Sequence, residues 1–273
     1  MTDQGLGYSE SERTHGRYAA FYDPDLRPLQ PQVAEALLIG HQAQELFPPI
    51  GDARSLLEPG YWPVETGFTR ASDVSIRMFC LTDMPGVSPQ MWDWWFGWHG
   101  CEAQRYKLWH PKAHVSAQWA DGRDDEAYIG RTSLITEFLG AEKKKASIRF
   151  VRPARLGLDE DRLDRQGEVA ICARVGMQGS PVNAGWLLHQ LRPTAGGCEM
   201  RSRMWLGGDN TSIGENPGPL RRGLAKALRR PGSLMLPDPA ELLVHNAQEM
   251  AHLAGFLPRL YKAFGPQTGT VAA

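Results

Sequence analysis

The stretch DPAELLVHNAQEMAHLAGFLPRLYKAF, residues 238–264, decides the fold class. Asp238 can cap a helix, and Pro239 suits its first turn. Apolar side chains then recur at helical spacing, at Leu242, Leu243, Ala247, Met250, Ala254, Leu257 and Tyr261. This pattern predicts one long C-terminal helix that ends near Phe264. Pro258 should kink or interrupt that helix, because proline lacks a backbone N–H donor.

Upstream of this helix, short segments rich in β-branched and aromatic residues are typical of strands. Strands are predicted at residues 64–70, 74–81, 132–139, 146–151, 167–175, 184–191 and 199–206. A meander of strands followed by one long helix predicts an α+β helix-grip fold of the START-like or Bet v type. In such a fold a curved antiparallel sheet wraps the C-terminal helix and encloses a cavity for a small ligand.

The chain is predicted to consist of two parts. Residues 1–62 are interpreted as an N-terminal arm or small helical subdomain, with a helix at residues 32–46. Residues 63–273 are predicted to form the helix-grip domain, in which a short helix begins after Ser88. Its apolar face holds Met91, Trp94, Trp95 and Trp98.

The composition is that of an ordinary globular protein, with 42% hydrophobic and 22% charged residues among 273. A formal net charge of −1 gives no bulk attraction to nucleic acid or to an anionic membrane. The basic run at residues 221–230 is interpreted as a solvated face that follows a loop at residues 211–220. Four widely spaced cysteines argue against a cysteine zinc finger or a redox motif. Because no signal peptide or long apolar run is visible, we expect a cytoplasmic protein that binds neither membrane nor nucleic acid.

His245 and Glu249 lie four residues apart in the predicted C-terminal helix, so their side chains share one face. Their neighbours there, Leu242 and Leu253, are apolar. A carboxylate in such surroundings is costly unless it is paired or bound to metal. The two side chains can therefore bind one metal ion together, although a plain surface pair is the alternative. His252 is a further candidate on the same stripe.

A second group of histidines strengthens the metal hypothesis. His110 and His114 lie amid aromatic residues, and either could complete a His/His/Glu set of the kind that binds catalytic zinc. Glu137 lies in an otherwise apolar strand, where it either needs a buried partner or faces solvent. His189 is either an interior acid or base or a satisfied core residue. The GxSxG, GxGxxG, P-loop and HExxH motifs are all absent from the sequence.

Three motifs occur in order along the chain: MWDWWFGWH at residues 91–99, YKLWHPKAH at 106–114 and HNAQEM at 245–250. Together they resemble the 2,4-diacetylphloroglucinol hydrolase family, which also contains phloretin hydrolase. The resemblance extends over residues 60–265. It implies a homodimeric enzyme that hydrolyses the carbon–carbon bond between an acyl group and a phenolic ring.

The resemblance also implies a zinc ion held by two histidines and two glutamates. Matched position by position, these ligands are His114, Glu137, His245 and Glu249. Tyr106 and His189 match active-site residues that lie near the substrate. The expected substrate is a small aromatic acyl ketone, in a pocket walled by Trp95, Trp109, Met204 and Trp205.

The chain departs from the family pattern at two places. Ala117 stands where a polar amide is expected, and Met204-Trp205 occupies a strand where another tyrosine is expected. Both changes remove hydrogen-bonding groups, so the substrate need not be diacetylphloroglucinol itself. In the expected mechanism, zinc polarises the acyl carbonyl or lowers the pKa of water toward ~7. His189 or Tyr106 then assists as an acid or hydrogen-bond donor.

Three other functions are compatible with parts of this pattern. A metal-free carrier of hydrophobic ligands would use the same cavity but hold no stoichiometric zinc. A zinc hydrolase or lyase for a β-diketone or other polyketide would turn over diketones but not acylphenols. Nucleic-acid binding through residues 221–230 is disfavoured by the near-neutral charge.

Overall fold

The computed structural model describes residues 5–215 and 217–266, and an antiparallel sheet of nine strands forms its centre. The strands are β1 (Gly67–Arg70), β2 (Ile76–Pro85), β3 (His114–Trp119), β4 (Thr132–Leu139), β5 (Glu142–Val151), β6 (Val169–Met177), β7 (Val182–Thr194), β8 (Gly197–Leu206) and β9 (Ser212–Ile213). Their order in the sheet is β1-β2-β8-β7-β6-β5-β4-β3, and β9 pairs with β7.

Helices pack on and beside this sheet, so the predicted α+β class is confirmed. The α-helices of the described residues are α1 (Glu10–His15), α2 (Pro31–Ile39), α3 (Pro89–Trp98), α4 (Ala103–Trp109), α5 (Glu160–Gln166), α6 (Pro219–Ser233), α7 (Pro239–Ala254) and α8 (Leu257–Phe264). Short 3₁₀ helices span Ala19–Phe21, Gln44–Leu46, Ile50–Leu57, His99–Cys101, Pro153–Leu156 and Gly208–Asn210. None of the helices within these two ranges is long and apolar enough to cross a membrane.

The sheet curves around α7. Four strands separate β2 from β4 in the sheet, yet both contribute to the apolar cluster that covers this helix. Met78 and Cys80 from β2 and Leu139 from β4 pack in one cluster with Leu242 and Leu243. Only a strongly curved sheet brings strands so far apart to the same helix, so the predicted helix-grip arrangement is confirmed.

The C-terminal helix is interrupted earlier than the sequence predicts. α7 ends at Ala254, and Gly255 and Phe256 separate it from α8. Pro258 then lies in the first turn of α8, where its missing N–H costs no hydrogen bond. Asp238 caps α7 as predicted, since its side chain accepts two backbone N–H groups.

Other predicted elements differ in their limits. The helix predicted at residues 32–46 is shorter. α2 ends at Ile39, because the next residue, Gly40, has a φ of 74° that lies outside the helical region. Residues 142–145 extend β5 into a charged hairpin end, which the sequence pattern did not indicate as a strand. The loop predicted at residues 211–220 contains β9 and the start of α6. The basic residues of α6 are largely exposed, as expected for a solvated face.

α2 packs in the same apolar cluster as α7, whereas residues 47–57 cover the sheet face that points away from α7. Phe47 and Leu56 pack there against Phe79 and Trp205. Side chains of neighbouring residues on a strand point to opposite faces, so Phe79 faces away from the helix when Met78 faces it. The division of the chain near residue 62 stays a prediction. The outermost parts of the two predicted units, residues 1–4 and 267–273, lie outside the described residues.

An aromatic layer closes one end of the cavity between the sheet and α7. It is built by α3 and α4, where Trp92, Trp95 and Phe96 are almost completely buried. α3 starts at Pro89 after Ser88, as predicted, although the Ser88 side chain makes no capping hydrogen bond. This layer holds His99, which follows α3, and Tyr106 and Trp109 of α4 against the cavity.

Candidate functional site

Two of the predicted metal ligands come from α7. His245 and Glu249 are both buried, and Nε2 of the imidazole lies 3.8 Å from Oε2 of the carboxylate. The helical spacing of four residues therefore directs both groups inward, as the sequence predicts. The alternative of a pair on the protein surface is excluded by their burial.

His114 is the third predicted ligand and begins β3. Its Nδ1 lies 3.0 Å from the backbone oxygen of Tyr106, which can only accept, so Nδ1 carries the proton. Nε2 is consequently the free nitrogen, and it lies 3.3 Å from Oε2 of Glu249. This atom is fully buried and makes no hydrogen bond. Histidines that bind metals are commonly oriented by a backbone carbonyl that accepts from their other ring nitrogen.

Glu137 is the fourth predicted ligand and lies opposite His114 in the ladder between β3 and β4. Its Oε2 is 3.7 Å from Nε2 of His114 and also 3.7 Å from Nε2 of His245. The Tyr106 hydroxyl donates to the same oxygen over 2.5 Å. The structure thus brings all four predicted ligand side chains together, and the donor atoms of His114, His245 and Glu249 lie within 4.8 Å of one another.

The electrostatics of this cluster fit a divalent metal. Burial, reinforced by the charge of Glu137, raises the pKa of Glu249 to about 8. Burial lowers the pKa of His114 to about 4, so its ring is neutral near pH 7. A divalent cation bound between the two carboxylates would offset the burial that disfavours the charged form of Glu249. The orphaned Nε2 of His114 and this set of nitrogen and oxygen donors are suitable for zinc.

The other candidate histidines lie outside this group of donor atoms. The His110 ring stacks on His245 with 4.9 Å between the ring centroids, and its Nε2 lies 3.3 Å from Oε1 of Gln248. The His252 ring packs against Phe256 instead. Of the two histidines that the spacing leaves open, His114 lies in this group of donor atoms and His110 does not.

A cavity of about 950 Å³ lies between the sheet and α7 and includes this cluster in its wall. The inner end of the cavity is lined by side chains that are almost completely buried. They are Phe96, His99, Trp109, Ser133, Phe150 and His189. At its mouth lie the charged hairpin end of residues 142–145 and residues 234–237, which follow α6. The predicted site residues Tyr106, Trp109, His189 and Met204 all lie on the cavity wall.

Two predicted pocket residues do not lie on this wall. Trp205 follows Met204 on β8 and therefore points to the opposite sheet face, where its indole N–H donates to the backbone oxygen of Pro48. Trp95 lies behind the wall, with its ring stacked on His99 at 5.3 Å between centroids. The prediction that these two tryptophans contact the substrate is corrected, since both belong to the packing around the site.

His189 faces the cavity from β7. Its Nδ1 lies 2.8 Å from the hydroxyl oxygen of Ser202 on the neighbouring strand. Burial lowers the pKa of this imidazole to about 3, so the ring is neutral near pH 7. A neutral histidine in this position can form hydrogen bonds with a ligand, but it cannot act as a strong acid.

Two polar residues of the inner end, His99 and Ser133, were missed by sequence reasoning. His99 follows α3 and resembles a helix stop, while Ser133 is an unremarkable strand residue. The available signal was strand alternation, because Ser133, Ile135 and Glu137 must share one face of β4. That signal becomes useful only when Glu137 is known to face the cavity.

Several known proteins are similar to this chain. Residues 46–262 match the family described as DAPG hydrolase PhiG domain. A 2,4-diacetylphloroglucinol hydrolase of Pseudomonas sp. is 31% identical over 263 residues, which cover 91% of this chain and 88% of that protein. Phloretin hydrolase of Eubacterium ramulus is 28% identical over 271 residues, which cover 94% and 93%. Human STARD10 is similar over 78% of this chain and 80% of its own, with 8% identity and a TM-score of 0.40.

Proposed function

The chain belongs to the DAPG hydrolase family, and we propose that it hydrolyses the carbon–carbon bond between an acyl group and a phenolic ring. We further propose that it uses a zinc ion held by His114, Glu137, His245 and Glu249. The observation that carries this proposal is the convergence of two imidazoles and two carboxylates from β3, β4 and α7 on one buried point of the cavity wall. The names of the relatives support the reaction class.

The proposed reaction consumes one water molecule. Its oxygen adds to the acyl carbon, the bond between that carbon and the ring breaks, and the ring carbon keeps the electron pair and takes up a proton. The products are a carboxylic acid and the free phenol. Zinc, when bound, would polarise the acyl carbonyl and lower the pKa of water toward ~7.

Tyr106 and His189 have distinct roles in this proposal. Burial and the charge of Glu137 raise the pKa of the Tyr106 phenol well above its usual value, so its hydroxyl stays protonated. Tyr106 therefore holds the Glu137 carboxylate in position through its hydrogen bond. His189 is neutral and binds a phenolic hydroxyl of the substrate rather than acting as a strong acid.

The cavity supports a substrate with a larger apolar part than an acetyl group. Its volume of about 950 Å³ is at the upper end of the range for small-molecule sites. Met204 presents an apolar side chain to this space. Ala117 packs in the core and brings no hydrogen-bonding group. We therefore propose an acylphenol with an extended acyl chain as the preferred substrate.

Metal analysis combined with turnover tests this proposal. The purified protein should contain about one zinc per chain and release free phloroglucinol from acylphloroglucinols, which chromatography detects. Absence of stoichiometric zinc and of turnover would favour a metal-free ligand carrier instead. Turnover of β-diketones without turnover of acylphenols would favour the diketone hydrolase. A homodimer and a cytoplasmic location also belong to the proposal, and sedimentation velocity would test the former.

A further inference from the structure

The inner end of the cavity contains buried polar atoms that lack a partner. The Ser133 side chain is 1% exposed and lines the cavity, and its hydroxyl makes no hydrogen bond to any residue that the structure describes. The indole N–H of Trp109, on the same wall, is equally unpaired. Burial of unpaired polar groups is unfavourable, so a ligand that pairs with them would gain affinity from the site.

His99 adds an acceptor of defined orientation to this inner end. Its Nδ1 lies 2.8 Å from the backbone oxygen of Trp95, which can only accept a hydrogen bond. Nδ1 therefore carries the proton of the neutral ring, and Nε2 remains as an acceptor. Burial lowers the pKa of His99 to about 3, which keeps the ring neutral at physiological pH. A ligand must donate a hydrogen bond to satisfy this nitrogen.

Aromatic rings surround these polar atoms. The Phe96 ring centroid lies 5.7 Å from that of His99, 5.7 Å from that of His189 and 5.9 Å from that of Phe150. Trp109 approaches Phe96 edge-on at 5.5 Å. Walls of this composition are suitable for a flat aromatic ring, with polar groups only at its edge.

The inner end is continuous with the cluster of metal ligands. The ring of Tyr106 stacks on His114 at 3.8 Å between centroids, and on its other side His99 stacks at 5.8 Å. A molecule that occupies the inner end therefore lies beside the residues proposed to hold the zinc ion.

We propose that His99 and Ser133 form a hydroxyl-binding subsite that accepts the aromatic ring of the substrate. Nε2 of His99 accepts a hydrogen bond from one ring hydroxyl, and Ser133 exchanges a hydrogen bond with another. A β-diketone offers carbonyl acceptors in its keto form and an internally hydrogen-bonded O–H in its enol form, and neither form donates freely to Nε2 of His99, so this subsite selects phenols. That the bound ring belongs to a substrate rests on the proposed function. That the subsite binds a polyphenol does not.

Equilibrium binding of phloroglucinol tests the subsite without turnover. The zinc-loaded full-length protein is titrated with phloroglucinol and, separately, with 1,3,5-trimethoxybenzene, which retains the ring and its oxygens but cannot donate. Ser133→Ala removes the unpaired hydroxyl. His99→Asn retains a side-chain donor for the Trp95 oxygen but removes the acceptor nitrogen, and His99→Gln extends a polar amide toward its position. Ser116→Ala on β3, away from the cavity wall, is the matched control.

The wild type should bind phloroglucinol more tightly than trimethoxybenzene. Ser133→Ala and His99→Asn should each weaken phloroglucinol binding by about three- to tenfold, the value of one hydrogen bond. Trimethoxybenzene binding should not change in His99→Asn, because its methoxy oxygens cannot donate to Nε2, and His99→Gln should recover part of the phloroglucinol loss. Thermal unfolding of each variant, compared with Ser116→Ala, checks that the fold is retained.

Two results would overturn the subsite: equal affinity of the wild type for both compounds, or unchanged phloroglucinol affinity in folded Ser133→Ala and His99→Asn variants. If acylphenols are cleaved but these variants retain the wild-type KM, the subsite is wrong while the proposed function stands. If phloroglucinol binding changes as expected but no acylphenol is cleaved, the subsite stands and the proposed function is wrong.

Discussion

Nε2 of His114 lies 3.3 Å from Oε2 of Glu249, although 135 positions separate the two residues along the chain. One atom comes from the start of β3 and the other from the middle of α7. Nε2 of His114 makes no hydrogen bond to any described residue, and the Glu249 carboxylate accepts one over 3.4 Å from the Asn246 amide. The proposed zinc ion would bind both groups.

Glu249→Gln should therefore abolish zinc binding while the fold is retained. The amide matches the carboxylate in size but lacks its charge, so we expect less than a tenth of the wild-type zinc content and at least about a 100-fold loss of kcat/KM. Elemental analysis and steady-state kinetics measure the two effects. Glu241→Gln, an exposed position on the same helix, is the control. Full zinc occupancy and full turnover in Glu249→Gln would refute the ligand assignment.

Tyr106→Phe should weaken zinc binding without removing a ligand. The substitution deletes the hydroxyl that donates to Oε2 of Glu137 over 2.5 Å and leaves the ring stacked on His114. Partners of this kind typically contribute about 10- to 100-fold to metal affinity. Competition with a chromogenic chelator gives the affinity. Tyr8→Phe removes another hydroxyl hydrogen bond, to the backbone of Gln104, and should leave zinc affinity unchanged.

The metal-free protein should be most stable near pH 6.5. Burial lowers the pKa of His99, His114 and His189 to about 3, 4 and 3, so the unfolded chain binds more protons than the folded one below their usual value of 6.5. Each of these groups then costs roughly 1.4 kcal/mol of unfolding free energy per pH unit as the pH falls from 6.5 toward 4. Between pH 4.5 and 6.5 Glu249 has the opposite effect and offsets the contribution of one of these three histidines.

Between pH 6.5 and about 8 the sign reverses, because the histidines are then neutral in both states while Glu249 still differs between them. Burial raises its folded pKa from 4.5 to about 8, so the folded state retains a proton that the unfolded chain has lost. Stability should fall as the pH rises to about 8, and above pH 9 the buried thiols of Cys80 and Cys198, whose pKa burial raises to about 11 and about 12, extend the fall. Urea unfolding across this range measures the effect. Glu249→Gln should remove the decline between pH 6.5 and 8 but not the acid one, and a decline that persists in this interval would contradict the assignment.

Glu65→Ala should destabilise the protein by about 3 kcal/mol. Its carboxylate accepts hydrogen bonds from Arg201 over 2.6 and 2.9 Å and also contacts Arg203, and both guanidinium groups are buried. Removal of the carboxylate leaves two buried cations without this partner. Urea unfolding measures the loss. Glu58→Ala, which breaks an exposed pair with Arg162, should produce no measurable change.

The sequence alone determined the features that depend on local patterns. The period of apolar residues predicted α7. It also predicted that His245 and Glu249 share an inward face, because residues four apart lie on the same side of a helix. Three motifs indicated the family, which the match over residues 46–262 confirms. The break at Gly255 rather than Pro258 was not predictable, since it depends on where α8 packs.

Only the tertiary structure decided which side chains meet. Spacing could not choose between His110 and His114, because the choice depends on the curvature that brings β3 and β4 to α7. It also could not separate Met204 from Trp205 as pocket residues, because the face that each occupies follows from the register of β8 in the sheet. The roles proposed for His99 and Ser133 also depend on the tertiary structure. Their unpaired atoms exist only because distant strands and helices enclose them in one cavity.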